Sequence, residues 1–316
     1  MAIFQTDGEN LQQQSSLEIP EGNANTSSTT FSNESADQST GNQNYTGIAT
    51  PTIVNQTVPV VVFVGPPSSG KSMILVRLAK YLHNHGYTVD TDPTFLNTLE
   101  YQQHCLDFKA SLTSDIALPG TVKYLLVKVY DRNGVEIAKL LEAPGEDFYT
   151  TDPEMIRMGK NQMIEPYLQT IMTSRNKKSY VMILDLDSKI SFRRDGNHRA
   201  SYERRILDYF YNNTDKNRDR VILLYNKIDM THFGDIHGCS NPSGALQDAK
   251  LYYPALFASM KVRRLGFFEV DNFSFKPFCT GMFADQKDNF GNPYQTYNIA
   301  SDEYPRDLWK EIISKW

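Results

Sequence analysis

An α/β fold, a three-layer sandwich around a mostly parallel sheet with one antiparallel hairpin, is predicted by three observations. From Val58 onward, short β-rich apolar runs alternate with stretches of helical periodicity. The run VPVVVFV (58–64) passes through GPPSSGKS into the helical pattern MILVRLAKYLHNHG, the strand–turn–helix unit from which parallel sheets are assembled. Further on, TVKYLLVKVY, DRNG and VEIAKLLE read as two strands closed by a turn, with Asn133-Gly134 the strongest short hairpin signal.

The elements follow in order. Residues 58–64 are apolar and mostly β-branched, as a strand covered on both faces requires. Ile74, Leu75, Leu78, Ala79 and Leu82 recur at helical spacing until Gly86 stops the helix. The polar stretch Tyr87–Gly120 shows no clear pattern and receives no element. The hairpin then supplies the second and third strands (β2–β3 of this reading). A helix is expected around Asp152–Ser174, SYVMILDLD as a buried strand, a helix over about Asn197–Asn212, and RVILLY (220–225) as a strand. A helix near Gly244–Met260, a last strand within Phe267–Cys279 and the amphipathic helix PRDLWKEIISKW, with Pro305 near its start, complete the chain.

Charge is unevenly placed. The chain of 316 residues carries a net charge of -5, yet no Lys, Arg or His precedes Lys71, while Asp7, Glu9, Glu18, Glu21, Glu34 and Asp37 do. Residues 1–55 are rich in Ser, Thr, Asn, Gln and Gly and poor in large apolar side chains. They are expected to form a disordered acidic low-complexity tail, because they bury too little to offset ordering entropy. Residues 56–316 are then one domain, near neutral, without the basic footprint that nucleic-acid binding needs. The N-terminus lacks the charged and apolar regions of a secretory signal, and no 18 apolar residues run together, so no membrane span is expected. Three cysteines, Cys105, Cys239 and Cys279, stand at no framework spacing, which fits a reducing, cytoplasmic setting.

Residues Gly65–Ser72 fit G-x-x-x-x-G-K-[ST], the phosphate-binding P-loop (Walker A), directly after a strand and before a helix. Gly65 and Gly70 let the backbone of Pro66, Ser68 and Ser69 wrap a phosphate, with Pro66 and Pro67 pre-setting the loop. The N-terminus of the following helix, from Lys71 through Met73, adds its positive end. Lys71 is placed to reach β- and γ-phosphates, and the Ser72 hydroxyl to coordinate Mg²⁺. A second string, NKID at Asn226–Asp229, also follows a buried strand.

With both motifs in this order, the chain from about Val58 to Trp316 resembles the Ras-like, translation-factor-related class of P-loop GTPases, and among them the stand-alone small GTPase-like proteins of bacteria. The resemblance implies a P-loop NTPase fold that binds GTP or GDP with Mg²⁺, hydrolyses GTP slowly and acts as a molecular switch on a protein effector or activator. It implies that Asp229 accepts hydrogen bonds from guanine, that Asn226 braces the P-loop, that Lys227 covers the base, and that Cys279 and Thr280 in FCTGM supply backbone contacts. EAPGE (142–146) stands at the family's Asp-x-x-Gly position. Glu142 replaces the Mg²⁺-shell Asp, Gly145 senses the γ-phosphate, and Glu146 replaces the water-orienting Gln. Thr121 is the implied switch threonine and Mg²⁺ ligand, with Thr113 in reserve. Two rivals stand beside this reading: a P-loop ATPase using Asp185, at the end of VMILD, as its Walker B acid, and a nucleotide-binding scaffold that hydrolyses nothing. His232, His237 and Cys239 match no metal-site spacing.

Overall fold

The computed structural model describes residues 55, 57–66, 68–93, 95, 98–118, 124–143, 166–185, 202–264 and 268–314. Strand β1 (Val60–Val64) is buried at every position, so helices must cover the sheet on both faces. Around it runs a seven-stranded sheet in the order β11-β6-β5-β1-β4-β3-β2. Strands β4 (Glu136–Glu142), β5 (Lys178–Asp185), β6 (Arg220–Asn226) and β11 (Ser274–Pro277) continue β1 in parallel. Strand β3 (Leu125–Tyr130) pairs antiparallel with β4, and this is the expected hairpin. Its turn is held by Asp131, whose Oδ1 accepts from the N–H groups of Asn133 and Val135 at 2.9 Å. The architecture is the P-loop NTPase three-layer α/β sandwich.

Four expectations need correction. The unassigned stretch after Gly86 contains an edge strand, β2 (Thr88–Thr91), antiparallel to β3, and helix α2 (Leu99–Thr113). The helix buries only Tyr101, Cys105, Phe108 and Ser111, and so narrow an apolar stripe in a polar sequence gives little periodic signal. The single helix expected over Gly244–Met260 is two, α4 (Pro242–Tyr252) and α5 (Pro254–Ser259), because Pro254 has no N–H to continue the first. The last strand is split. Strand β10 (Phe268–Asp271) pairs antiparallel with β9 (Lys261–Arg264) in a separate ribbon, and only β11 joins the main sheet. Finally, an unanticipated hairpin, β12 (Gly281–Lys287) and β13 (Pro293–Ile299), stands between β11 and the last helix. Of the helix expected from residue 152, the described part is α3 (Pro166–Thr173). Of the helix expected over about Asn197–Asn212, residues 202–205 are α-helical and continue into a π-helical turn (Ile206–Phe210) and a 3-10 turn (Tyr211–Asn213). A two-residue ribbon, β7 (Gly234–Asp235) with β8 (Gly238–Cys239), follows β6.

Helix α1 (Lys71–Asn84) packs against α2 and the last helix, α6 (Glu303–Ile313). Buried Arg77 makes the polar part of that contact, donating to the Ala300 carbonyl at 2.8 Å and pairing with Asp302 at 2.5 Å. Asp302 is largely exposed, so the ion pair contributes little. The buried carbonyl contact dominates, and Arg77→Met is expected to cost about 1–3 kcal/mol. Thermal melting reads this as a fall of about 2–4 °C per kcal/mol for a domain of this size. At its far end α6 is held by Glu311, which accepts from Ser274 Oγ at 2.6 Å and pairs with Arg220 and Lys276.

Candidate functional site

The chain leaves β1 at Val64 and turns through residues 65–70 into α1. Ser68 (φ 60°) and Gly70 (φ 88°) both take left-handed backbone, and alternation of this kind curls the chain so that its N–H groups converge. Gly65 has no room for a side chain: a Cβ there would lie 2.7 Å from Ser69 Oγ and 3.1 Å from Ile183 Cβ. A Cβ on Gly70 would lie 2.8 Å from Asn226 Nδ2. Gly70→Ala combines that clash with left-handed backbone strain of about 1–2 kcal/mol. It is expected to lower both melting temperature and phosphate-ligand affinity, read by melting with and without nucleotide.

Lys71 opens α1 and is 6% exposed. Its ammonium donates to the carbonyls of Gly65 at 3.0 Å and Pro66 at 2.9 Å, so the charge sits within the loop. Next to it, Ser72 Oγ donates to Glu142 Oε1 at 2.6 Å. Glu142 is the last residue of β4, paired with Phe63 of β1, and is fully buried. A hydroxyl and a carboxylate therefore meet beside the lysine: two hard oxygen donors of the kind Mg²⁺ prefers. Among the described residues no cluster of three His, Cys, Asp or Glu could hold a metal by itself. Met73 reaches the other way, its sulfur accepting from the Leu118 N–H at 3.3 Å.

Asn226 ends β6, two strands from β1. Its Nδ2 donates to the Ser69 carbonyl at 2.9 Å, so the side chain enters the P-loop from the far motif. Its Oδ1 and Ser69 Oγ are both buried without a hydrogen-bond partner, a state that a ligand or water ordinarily relieves. Lys227 is left-handed (φ 58°), and its Nζ donates to the Ser68 carbonyl at 3.4 Å. A one-turn 3-10 helix, Ile228–Met230, then presents half-buried Asp229. Its base is pinned by Ile228 N–H donating to Phe278 O at 3.1 Å, which brings FCTGM alongside NKID.

Cys279 and Thr280 are both buried there. Burial pushes the Cys279 thiol up, and the neighbouring Asp229 carboxylate pushes it further. The side chain of Cys279, expected to matter through its backbone alone, thus stands against the acid of the other motif. The Thr280 carbonyl accepts from Ala300 N–H at 3.2 Å. Thr113 closes α2, exposed, with its hydroxyl donating to Ala110 O of its own helix. Thr121, Gly145, Glu146 and Pro67 lie outside the described residues, as does the side chain of Asp185.

A P-loop after the central strand, a carboxylate at the end of the hairpin-borne neighbour and NKID after β6 lie at one end of the sheet. The fold is a mostly parallel α/β sandwich with the P-loop directly after its central strand. No protein-family model matches the sequence, and no curated protein matches it. Among solved structures it is similar to nucleolar GTP-binding protein 1 of Plasmodium falciparum: 13% identity, 72% of this chain and 80% of that one, TM-score 0.37. It is also similar to the Ski7 GTPase-like domain of S. cerevisiae bound to GTP (16% identity, 71% of this chain, TM-score 0.33), where it spans 43% of that chain. A third is the signal recognition particle receptor SRb-GTP/SRX complex from Chaetomium thermophilum: 15% identity, 71% and 91% coverage, TM-score 0.37. Likeness at this level says nothing about activity.

Proposed function

We propose that this chain binds a guanine nucleotide with Mg²⁺, hydrolyses GTP to GDP slowly, and serves as a molecular switch. The observation that carries the reading is the bond from Asn226 Nδ2 to the Ser69 carbonyl, which brings the base-type motif against the phosphate-type motif. The backbone N–H groups from Ser68 into the first turn of α1 and the Lys71 ammonium would hold the phosphates. Asp229, steadied by the Cys279 thiol, would accept from N1–H and the N2 amino group of guanine, and Lys227 would lie over the base.

Ser72 and Glu142 would hold Mg²⁺, which when bound neutralises charge on the phosphate oxygens. What supports this role for Glu142 is that its carboxylate already meets the Ser72 hydroxyl. The reading keeps Thr121 and Gly145 as the residues that register the γ-phosphate and Glu146 as the one beside the attacking water, on their sequence positions alone. A switch of this class works because contacts to the γ-phosphate order two loops and disappear on hydrolysis.

The test is the identity of the nucleotide retained on purification, followed by titration with guanine and adenine nucleotides. Retained GDP or GTP with selective guanine binding supports the proposal; equal affinity for ATP would favour the ATPase with Asp185 as its acid. Turnover separates a switch from a non-hydrolysing scaffold. Glu146 would place negative charge where charge accumulates in the transition state, and every additional 1.36 kcal/mol or so slows the reaction tenfold. Single-turnover GTP hydrolysis without a partner is expected to take minutes or longer, on the order of 10⁻⁴–10⁻² s⁻¹ as in comparable switches. A rate of several per second would refute slow turnover. Residues 1–55 are proposed to be a disordered acidic tail, and deleting residues 1–54 is expected to leave nucleotide affinity unchanged.

A further inference from the structure

The β12–β13 hairpin joins two parts of the site, the base-side loop and the segment beside the first turn of α1. It begins directly at the base-side loop, since Gly281 follows Thr280 and opens β12. There is no slack at this junction. Gly281 has φ 153°, and a Cβ on it would stand 2.2 Å from Asn298 O. The hairpin is closed at once by the Gly281–Ile299 pairing and by Ala300 N–H donating to Thr280 O. A displacement of Cys279–Thr280 therefore carries both strands with it.

The other edge of the hairpin is equally committed. Tyr297 N–H donates to Asp115 O at 2.9 Å, and Ala117 N–H donates to Gln295 O at 2.8 Å. Residues 115–117 thereby lie antiparallel beside β13, with Ile116 bridged to Thr296. The buried Tyr297 ring lies under Lys80 Nζ, 4.8 Å from its centroid, and the same ammonium donates to Ser114 O. One residue beyond, Leu118 N–H reaches Met73 Sδ, next to Ser72 on the phosphate side.

We propose that this hairpin is a mechanical tie between the base-side loop at Cys279–Thr280 and the segment 114–118 that abuts the first turn of α1, so that nucleotide occupancy is transmitted across it. The inference rests on the guanine-nucleotide reading of the site. A ligand that fixes the base-side loop would also suppress local opening of β13 from residues 115–117, because opening free energies of linked elements rise together. The other two ribbons differ: among the described residues, neither β7–β8 nor β9–β10 makes a β-bridge outside itself.

Hydrogen exchange on the full chain, with and without saturating GDP, tests the tie. GDP is expected to slow exchange at the Ala117 and Tyr297 amides about tenfold or more, a change large enough to reflect suppressed opening. In a variant with 282–298 replaced by Asn-Gly, a turn able to close the Gly281–Ile299 gap, GDP should still bind while residues 114–118 no longer respond. Ala117→Pro removes one of the two strand bonds without touching the pocket and should likewise abolish the response at Tyr297. If GDP binds tightly and the two amides exchange as before, the tie is refuted and the nucleotide reading stands. If GDP does not bind the wild type, both readings fall. A GDP response at 114–118 that persists in the hairpin replacement also overturns the proposal.

Discussion

Asp229→Asn is expected to lower GTP affinity by two to three orders of magnitude and to raise affinity for xanthosine triphosphate. Guanine presents two donors, N1–H and the N2 amino group, and a carboxylate accepts both. An amide offers one acceptor and one donor, so one of the two contacts becomes donor against donor. Removing a half-buried hydrogen bond in this way costs about 1–3 kcal/mol, and the opposed pair adds to it. Xanthine carries an acceptor in place of the amino group, and the amide matches it. The measurement is titration of GTP, XTP and ATP against wild type and variant. Unchanged GTP affinity would remove Asp229 from the base pocket. The Cys279 thiol bears on the outcome, because it stands beside the carboxylate and would face an amide instead.

Lys71→Ala should reduce triphosphate affinity roughly a hundred- to several-thousandfold. The lysine supplies charge-assisted hydrogen bonds to phosphate, each worth about 1.5–3 kcal/mol, inside a loop that shields it from water. Stability should respond less. The ammonium does satisfy the carbonyls of Gly65 and Pro66, but in the variant a water can replace it at those oxygens. Calorimetric titration paired with melting in the absence of nucleotide separates the two effects. Normal GTP binding by the variant would overturn the P-loop assignment whatever its melting temperature.

The parts of the fold legible in the sequence are those that local chemistry decides. A run such as VVVFV can only be a strand buried on both faces, and Asn133-Gly134 can only turn tightly. Gly65 and Gly70 sit where a Cβ would strike Ser69 or Asn226, so the motif's glycines reflect real crowding. Elements with weak periodicity escaped: α2 shows water most of its surface, and β2 is a four-residue edge strand with two exposed positions. The β12–β13 hairpin escaped for a related reason. Met282, Phe283 and Phe290 are exposed, so its sequence lacks the alternation that burial on one face imposes.

The sequence by itself determined the class of fold and the two ends of the candidate site, because strand–loop–helix geometry and glycine-dependent turns are encoded within a dozen residues. Only the tertiary structure decided how those ends meet. That Asn226 reaches Ser69, that Ser72 meets Glu142, and that Cys279 stands against Asp229 are contacts across 157, 70 and 50 positions of chain. Contacts of this kind depend on strand order in the sheet, which no local spacing specifies. The same holds for the bridge between β13 and residues 115–117, where two stretches without a strong pattern of their own complete each other's hydrogen bonds.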